Sequence, residues 1–205
     1  MKKQPITNQQ SKVSRRTDVT MFIGINGTGK TTLVRKIIDQ MKNRRTLVVQ
    51  YAGLEDAWDD VPVIDLKSDE IKTFTGIAQV YFMRYGDESW KLLFENYQNG
   101  NLIFDDCKNY IVPRVEGALL RILVNRRQLM VDVFAMVHSF NQLPLKFYDY
   151  CTEYFIFKTL SSPKYAKDNL DYNYPKIEAA CRKVNAIAGN DPYADCFHSF
   201  EFVKI

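Results

Sequence analysis

An α/β fold, with a mainly parallel central sheet flanked by helices, is predicted by three features of the sequence. The β-rich run Val19 to Ile23 is followed by a glycine-rich turn, a helical pattern from Lys30, and a second β-rich run from Thr46 to Tyr51. Strand, helix, strand in that order is a βαβ unit, whose two strands pair in parallel. Three further apolar runs, Asn101–Asp106, Val131–Val137 and Glu153–Phe157, alternate with longer stretches, one of them of helical period. Finally, 205 residues with 46% hydrophobic and 25% charged side chains suit one sizeable domain with its own core.

The elements follow in order. The first helix runs from about Lys30 to Lys42, with Leu33, Ile37, Ile38 and Met41 at helical spacing and Arg44-Arg45 closing it, favourable at a helix C-terminus. Residues 52–100 read as a less regular insertion. Within it Val61–Asp65 is a short edge strand, because Pro62 argues against a central one. Ile71–Tyr85 and Ser89–Tyr97 read as helical or irregular, punctuated by Gly86-Asp87 and Asn99-Gly100. After Pro113, Val115–Arg126 carries Leu119, Leu120, Ile122 and Leu123 in a helical pattern. Residues 160–205 hold a helix around Ile177–Ala188 and an edge strand in CFHSFEFVKI.

Composition excludes several classes. The net charge of +4 is no nucleic-acid signal by itself, but residues 1–18 concentrate Lys2, Lys3, Lys12, Arg15 and Arg16 against Asp18 alone. With polar residues between, they read as a flexible basic arm, either a solvated tail or a contact for phosphates or a partner. That arm lacks the apolar core of a signal peptide, and no run of about 18 apolar residues suggests a transmembrane segment. Cys107, Cys151, Cys181 and Cys196 form no C-x-x-C pair, and with only His138 and His198 available a zinc site is not indicated. Reduced thiols in a cytoplasmic protein are the expectation.

The chemistry begins at GINGTGKTT, Gly24 to Thr32. Gly24, Gly29, Lys30 and Thr31 fit G-x-x-x-x-G-K-[ST], directly between strand and helix. Gly24, Asn26, Gly27, Thr28 and Gly29 supply backbone N–H groups for a phosphate nest, and the helix aims its positive end at the same place. Lys30 reaches the β/γ-phosphates, Thr31 ligates Mg²⁺, and Thr32 donates to the α-phosphate. A nucleoside triphosphate such as ATP, with Mg²⁺, is the expected ligand.

LIFDD places two acids at the tip of an apolar strand, the Walker B arrangement. Asp105 would hold the metal shell and Asp106 would polarise an attacking water. Asp106 also reads as a strand cap or an outer metal contact, and as Asp it is one methylene shorter than the usual Glu. VDVFAMV ends in His138, Ser139 and Asn141. His138 or Ser139 suits a γ-phosphate sensor, Asn141 is a fallback, and a plain loop is the alternative. Arg126 and Arg127 could reach a neighbouring subunit's γ-phosphate, or simply cap a helix C-terminus.

On these residues the chain resembles the FtsK–HerA branch of P-loop ATPases, including the DNA-packaging ATPases of tailless viruses and Zot-like phage assembly ATPases. The matching stretches are Ile23–Leu33, Asn101–Arg114 and Leu119–Pro144. Two departures stand out: Asp106 replaces Glu, and the sensor strand ends Val-His-Ser where Thr-Gln is common. The resemblance implies a three-layer, ASCE/RecA-like P-loop NTPase domain over residues 19–205. It also implies ATP hydrolysis coupled to translocation of double-stranded DNA, self-association into a ring such as a hexamer, and capsid or assembly proteins as partners. The setting it implies is the host cytoplasm or the virion. Two other functions stay open: a small-molecule kinase, and an assembly NTPase acting through protein partners.

Overall fold

The computed structural model describes residues 17–41, 44–51, 56–82, 87–111, 116–187 and 200–205. The basic arm before Thr17, together with Pro113, Arg114, Cys196 and His198, lies outside these residues.

Seven strands form one sheet: β1 Val19–Ile23, β2 Thr46–Tyr51, β3 Ile77–Phe82, β4 Gly100–Phe104, β5 Val131–Val137, β6 Glu153–Ile156 and β7 Glu201–Lys204. Their order is β3-β2-β4-β5-β1-β6-β7. All neighbours are parallel except β6 and β7, so the expected mainly parallel sheet with a C-terminal edge strand is present. β5 lies between the glycine-loop strand β1 and the acid-bearing strand β4. The three therefore deliver Gly24, His138 and Asp105 to the same edge of the sheet.

The helices are α1 Lys30–Gln40, α2 Glu70–Thr73, α3 Asp87–Asn96, α4 Glu116–Leu129, α5 Leu145–Tyr148, α6 Lys167–Leu170 and α7 Tyr174–Ile187. Strand side chains alternate between the two faces of the sheet. Phe22, Val48, Ile103, Phe134 and Met136 pack with Val34 and Ile38 of α1 and with Trp58 and Val61. Met21, Val49, Phe104, Val133 and Ala135 pack with Trp90 of α3, Leu119 and Leu123 of α4, and Ile177 of α7. Each face buries large aliphatic and aromatic groups, and such burial is the dominant favourable term in folding. Three layers result, matching the predicted fold class.

Residues 52–100 differ from the sequence reading. IAQVYF, read as helical or irregular, is the edge strand β3, pairing with β2 from Thr46–Ile77 to Tyr51–Phe82. Short β-branched and aromatic runs fit either period, and pairing with β2 decides this one. Conversely, Val61–Asp65 makes only the bridge Val63–Gln79, with Gln79 N donating to the Pro62 carbonyl and Ile64 N to the Gln79 carbonyl. Pro62, having no N–H, limits that pairing.

Candidate active site

Gly24 begins the phosphate loop where both neighbours of β1 hold the chain. Its N–H donates to the Val137 carbonyl at 3.1 Å, and Ile25 N donates to the Lys158 carbonyl at 2.9 Å. A Cβ on Gly24 would stand 2.5 Å from the Phe157 Cβ and 3.1 Å from the Lys158 carbonyl oxygen. Gly29, just before α1, has φ 88°, the left-handed region that L side chains avoid. Thr28 is buried and donates to the Ile25 carbonyl at 2.9 Å. Asn26 and Gly27 are exposed at the loop tip, Thr31 is half-buried and Thr32 exposed.

Lys30 folds back beneath this loop. Its Nζ donates to the carbonyls of Gly24 at 2.6 Å and Ile25 at 2.9 Å, and lies 3.4 Å from His138 Nδ1. His138 Nε2 in turn lies 3.2 Å from Asp106 Oδ1. A histidine with its proton on Nε2 can accept from the ammonium through Nδ1 while its N–H side faces the carboxylate. The end of β5 thus spans the gap between the loop lysine and the second acid. The His138 backbone N–H donates to Gln142 Oε1 at 2.7 Å, which locks the turn after β5. Ser139 is turned away, its hydroxyl donating to Asn141 Oδ1.

The two acids live in different surroundings. Asp105 is buried; burial pushes its carboxyl above the usual carboxylate range, against hydrogen bonds from Trp58 and the Asp106 N–H and the nearby Lys30 charge. Its Oδ2 accepts from Trp58 Nε1 at 2.6 Å and its Oδ1 from the Asp106 N–H at 2.9 Å. Asp106 adopts φ 41° and ψ 55°, left-handed for a non-glycine residue, which Asp tolerates and functional sites often hold. Burial works to raise its carboxyl, but His138, Lys108 and Asn109 outweigh burial and hold it below the usual range. Asn109 Nδ2 donates to Oδ2, while Oδ1 is buried and accepts no hydrogen bond. The His138 ring, with Nε2 at 3.2 Å, faces that oxygen as its charge partner.

The residues fit a metal–nucleotide ligand. A buried carboxylate, an adjacent carboxylate oxygen lacking a donor, and a loop cation held by carbonyls are all groups that phosphate, Mg²⁺ and water would satisfy. No group of three or more His, Cys, Asp or Glu side chains suited to a metal occurs among the described residues. Thr31 and Asp105 therefore fit a Mg²⁺ site only where phosphate oxygens and waters complete the shell.

The arginines are not brought to this cluster within the chain. Both sit in the last turn of α4, at the end of the sheet opposite the phosphate loop. Arg126 donates to the carbonyls of Leu123 at 2.7 Å and Thr17 at 3.4 Å and lies over the Tyr150 ring; Arg127 is exposed. Trp58, Asn109 and Gln142 are site residues that the sequence reading missed. A tryptophan alone among acids in EDAWDD was the available signal for Trp58.

Sheet order, phosphate loop and paired acids define a P-loop NTPase fold with a strand inserted between its two nucleotide-site strands. Among solved structures, the chain is similar to the genome packaging NTPase B204 from Sulfolobus turreted icosahedral virus 2 in complex with AMP. That match has TM-score 0.63 and 15% identity, covering 92% of each chain. It is also similar to the DNA-packaging ATPase B204 from Sulfolobus turreted icosahedral virus, with TM-score 0.60, 15% identity, and coverage of 82% of this chain and 87% of that one. A weaker likeness, TM-score 0.46 at 14% identity, covers 71% of this chain and 79% of the N-terminal domain of zonular occludens toxin from Neisseria meningitidis. No protein-family model and no curated protein matches the sequence. At these identities the likeness establishes the fold.

Proposed function

We propose that the chain is a Mg²⁺-dependent ATPase that moves double-stranded DNA, as the genome-packaging motor of a virus. The observation that carries the hydrolytic part is the Lys30–His138–Asp106 chain, with the unsatisfied Oδ1 of Asp106 at its end. A hydrolase uses a carboxylate there to hold its attacking water, where a kinase would hold a substrate hydroxyl instead. The virus-packaging part is supported by the fold shared with the two B204 proteins, whose names describe genome packaging.

In this reading the loop N–H groups hold the β-phosphate, and Lys30 leaves the Gly24 and Ile25 carbonyls for the β/γ-phosphates. Thr31 and Asp105 hold the metal, which when bound neutralises charge developing on the phosphates. Asp106, held strongly ionised, is a weak base, so it orients the water and leaves proton removal to a later moment. The water oxygen bonds to the γ-phosphorus as the bond to the β–γ bridging oxygen breaks, the electron pair stays on the ADP oxygen, and both of the water's protons leave on the phosphate product. His138 senses the γ-phosphate by its place between Lys30 and Asp106, with Ser139 and Asn141 outside that relay. Arg127 is exposed for a neighbour's γ-phosphate in a ring, such as a hexamer, and Arg126 is held within its own subunit. The basic residues before Thr17 supply sequence-independent contact to DNA, and capsid or assembly proteins are further partners in the host cytoplasm or virion. Among the described residues no helix is long and apolar enough to cross a membrane.

The test is steady-state ATP hydrolysis with and without duplex DNA, over a range of protein concentrations. DNA and self-association should each raise the rate; a rate indifferent to both would leave this reading without support.

A further inference from the structure

Trp58 ends a short turn, Asp56–Trp58, and is fully buried on the α1 face of the sheet. An indole in a core needs one acceptor for its N–H, and a backbone carbonyl is the common choice. Trp58 instead donates to Asp105 Oδ2 at 2.6 Å, on the carboxylate that the nucleotide site assigns to the metal. With the Asp106 N–H on Oδ1 at 2.9 Å, each oxygen of Asp105 has one donor, and the plane of the carboxylate is fixed.

Trp58 is itself held from two further sides. The Arg35 guanidinium lies 4.5 Å from the centre of its ring, while Arg35 also grips both Asp60 oxygens, at 2.6 and 3.0 Å, and the Ala57 carbonyl. Arg35 belongs to α1, the helix that carries Lys30 and Thr31. Gln79 Nε2 of β3 donates to the Trp58 carbonyl at 3.0 Å and the Val61 carbonyl at 2.6 Å. The indole therefore links the phosphate-loop helix to the acid that follows β4, while the Trp58 backbone is fastened to β3.

We infer that Trp58 is a positioning residue for Asp105: its N–H orients the carboxylate for the metal, and its stack with Arg35 ties that orientation to the phosphate-loop helix. This role rests on the metal–nucleotide reading of the same site. Groups that orient metal-binding carboxylates commonly shift metal affinity by about 10–100-fold.

The test uses Trp58→Phe, which keeps an aromatic ring under Arg35 but removes the N–H. ADP affinity is measured in EDTA, and Mn²⁺ affinity of the ADP complex by electron paramagnetic resonance. The expected result is unchanged ADP binding in EDTA with Mn²⁺ binding weakened about tenfold or more. Unchanged Mn²⁺ affinity in a folded Trp58→Phe protein would overturn the role. Failure of the unaltered protein to bind ADP would instead overturn the nucleotide reading beneath it. A second measurement covers a variant that does not fold. The chain has 2 tryptophans, so Trp90→Phe leaves Trp58 as the only indole emitter. Mn²⁺ added to its ADP complex should quench Trp58 emission, and the further change Asp105→Asn should remove the quenching. Emission blind to Mn²⁺ would also overturn the assignment.

Discussion

At Gly24 the space for a side chain is already filled by Phe157 and the Lys158 carbonyl. Gly24→Ala should therefore shift the loop off the ends of β5 and β6 and lower ADP affinity, measured by calorimetry; unchanged affinity would show that the loop tolerates the shift. Asp106→Asn keeps the shape but loses the charge that holds a water. It should lower kcat roughly 10²–10⁴-fold with nucleotide affinity nearly unchanged. The depressed carboxyl of Asp106 also has a pH signature. Because its folded value lies below its unfolded one, the ionised form stabilises the fold above the ordinary carboxylate range. That contribution disappears as pH falls through the depressed folded value. The melting-temperature difference between the native protein and Asp106→Asn should therefore shrink on acidification, and a difference independent of pH would refute the coupling to His138. Burial pushes the Cys181 thiol up to about 12 and that of Cys107 well above its ordinary value. Neither should react with a thiol reagent at pH 8 until the protein is unfolded; rapid labelling would contradict their burial.

The elements differ in how openly the sequence declares them. β1, the phosphate loop and α1 were legible because their glycines, lysine and apolar spacing have one physical solution, and β5 was legible as an unbroken apolar run. β3 was not, since six residues with an internal Gln79 fit either period until β2 offers a partner. The neighbourhood of Asp105 was hidden for a different reason: Trp58 lies 47 residues away and meets it only through the tertiary fold. Tyr110 is another such contact. Its hydroxyl donates to the Asp105 carbonyl at 2.7 Å and lies 3.0 Å from the Val49 carbonyl, fastening the acid turn to β2. Tyr110→Phe should cost about 1–3 kcal/mol by taking the hydroxyl donor from the Asp105 carbonyl, the Val49 carbonyl still accepting from the Asp105 N–H, read by urea denaturation. A loss near zero would mean that the turn is held without it.

On the scale of the whole molecule, α4 leads away from the phosphate edge and its terminal arginines cannot serve their own site. The ring reading turns this into a prediction about mixtures. Lys30→Ala and Arg127→Ala proteins, each inactive alone, should recover hydrolysis when mixed, because some interfaces then pair an intact loop with an intact arginine. Mixtures no more active than their components would confine each site to one chain. Coupling of hydrolysis to DNA is tested most directly by one measurement: the ATPase rate of the unaltered protein with and without duplex DNA, with Asp106→Asn as the control. For a DNA motor the rate should rise with DNA and fall roughly 10²–10⁴-fold in Asp106→Asn. An Asp106-dependent rate unmoved by DNA at any protein concentration would contradict it.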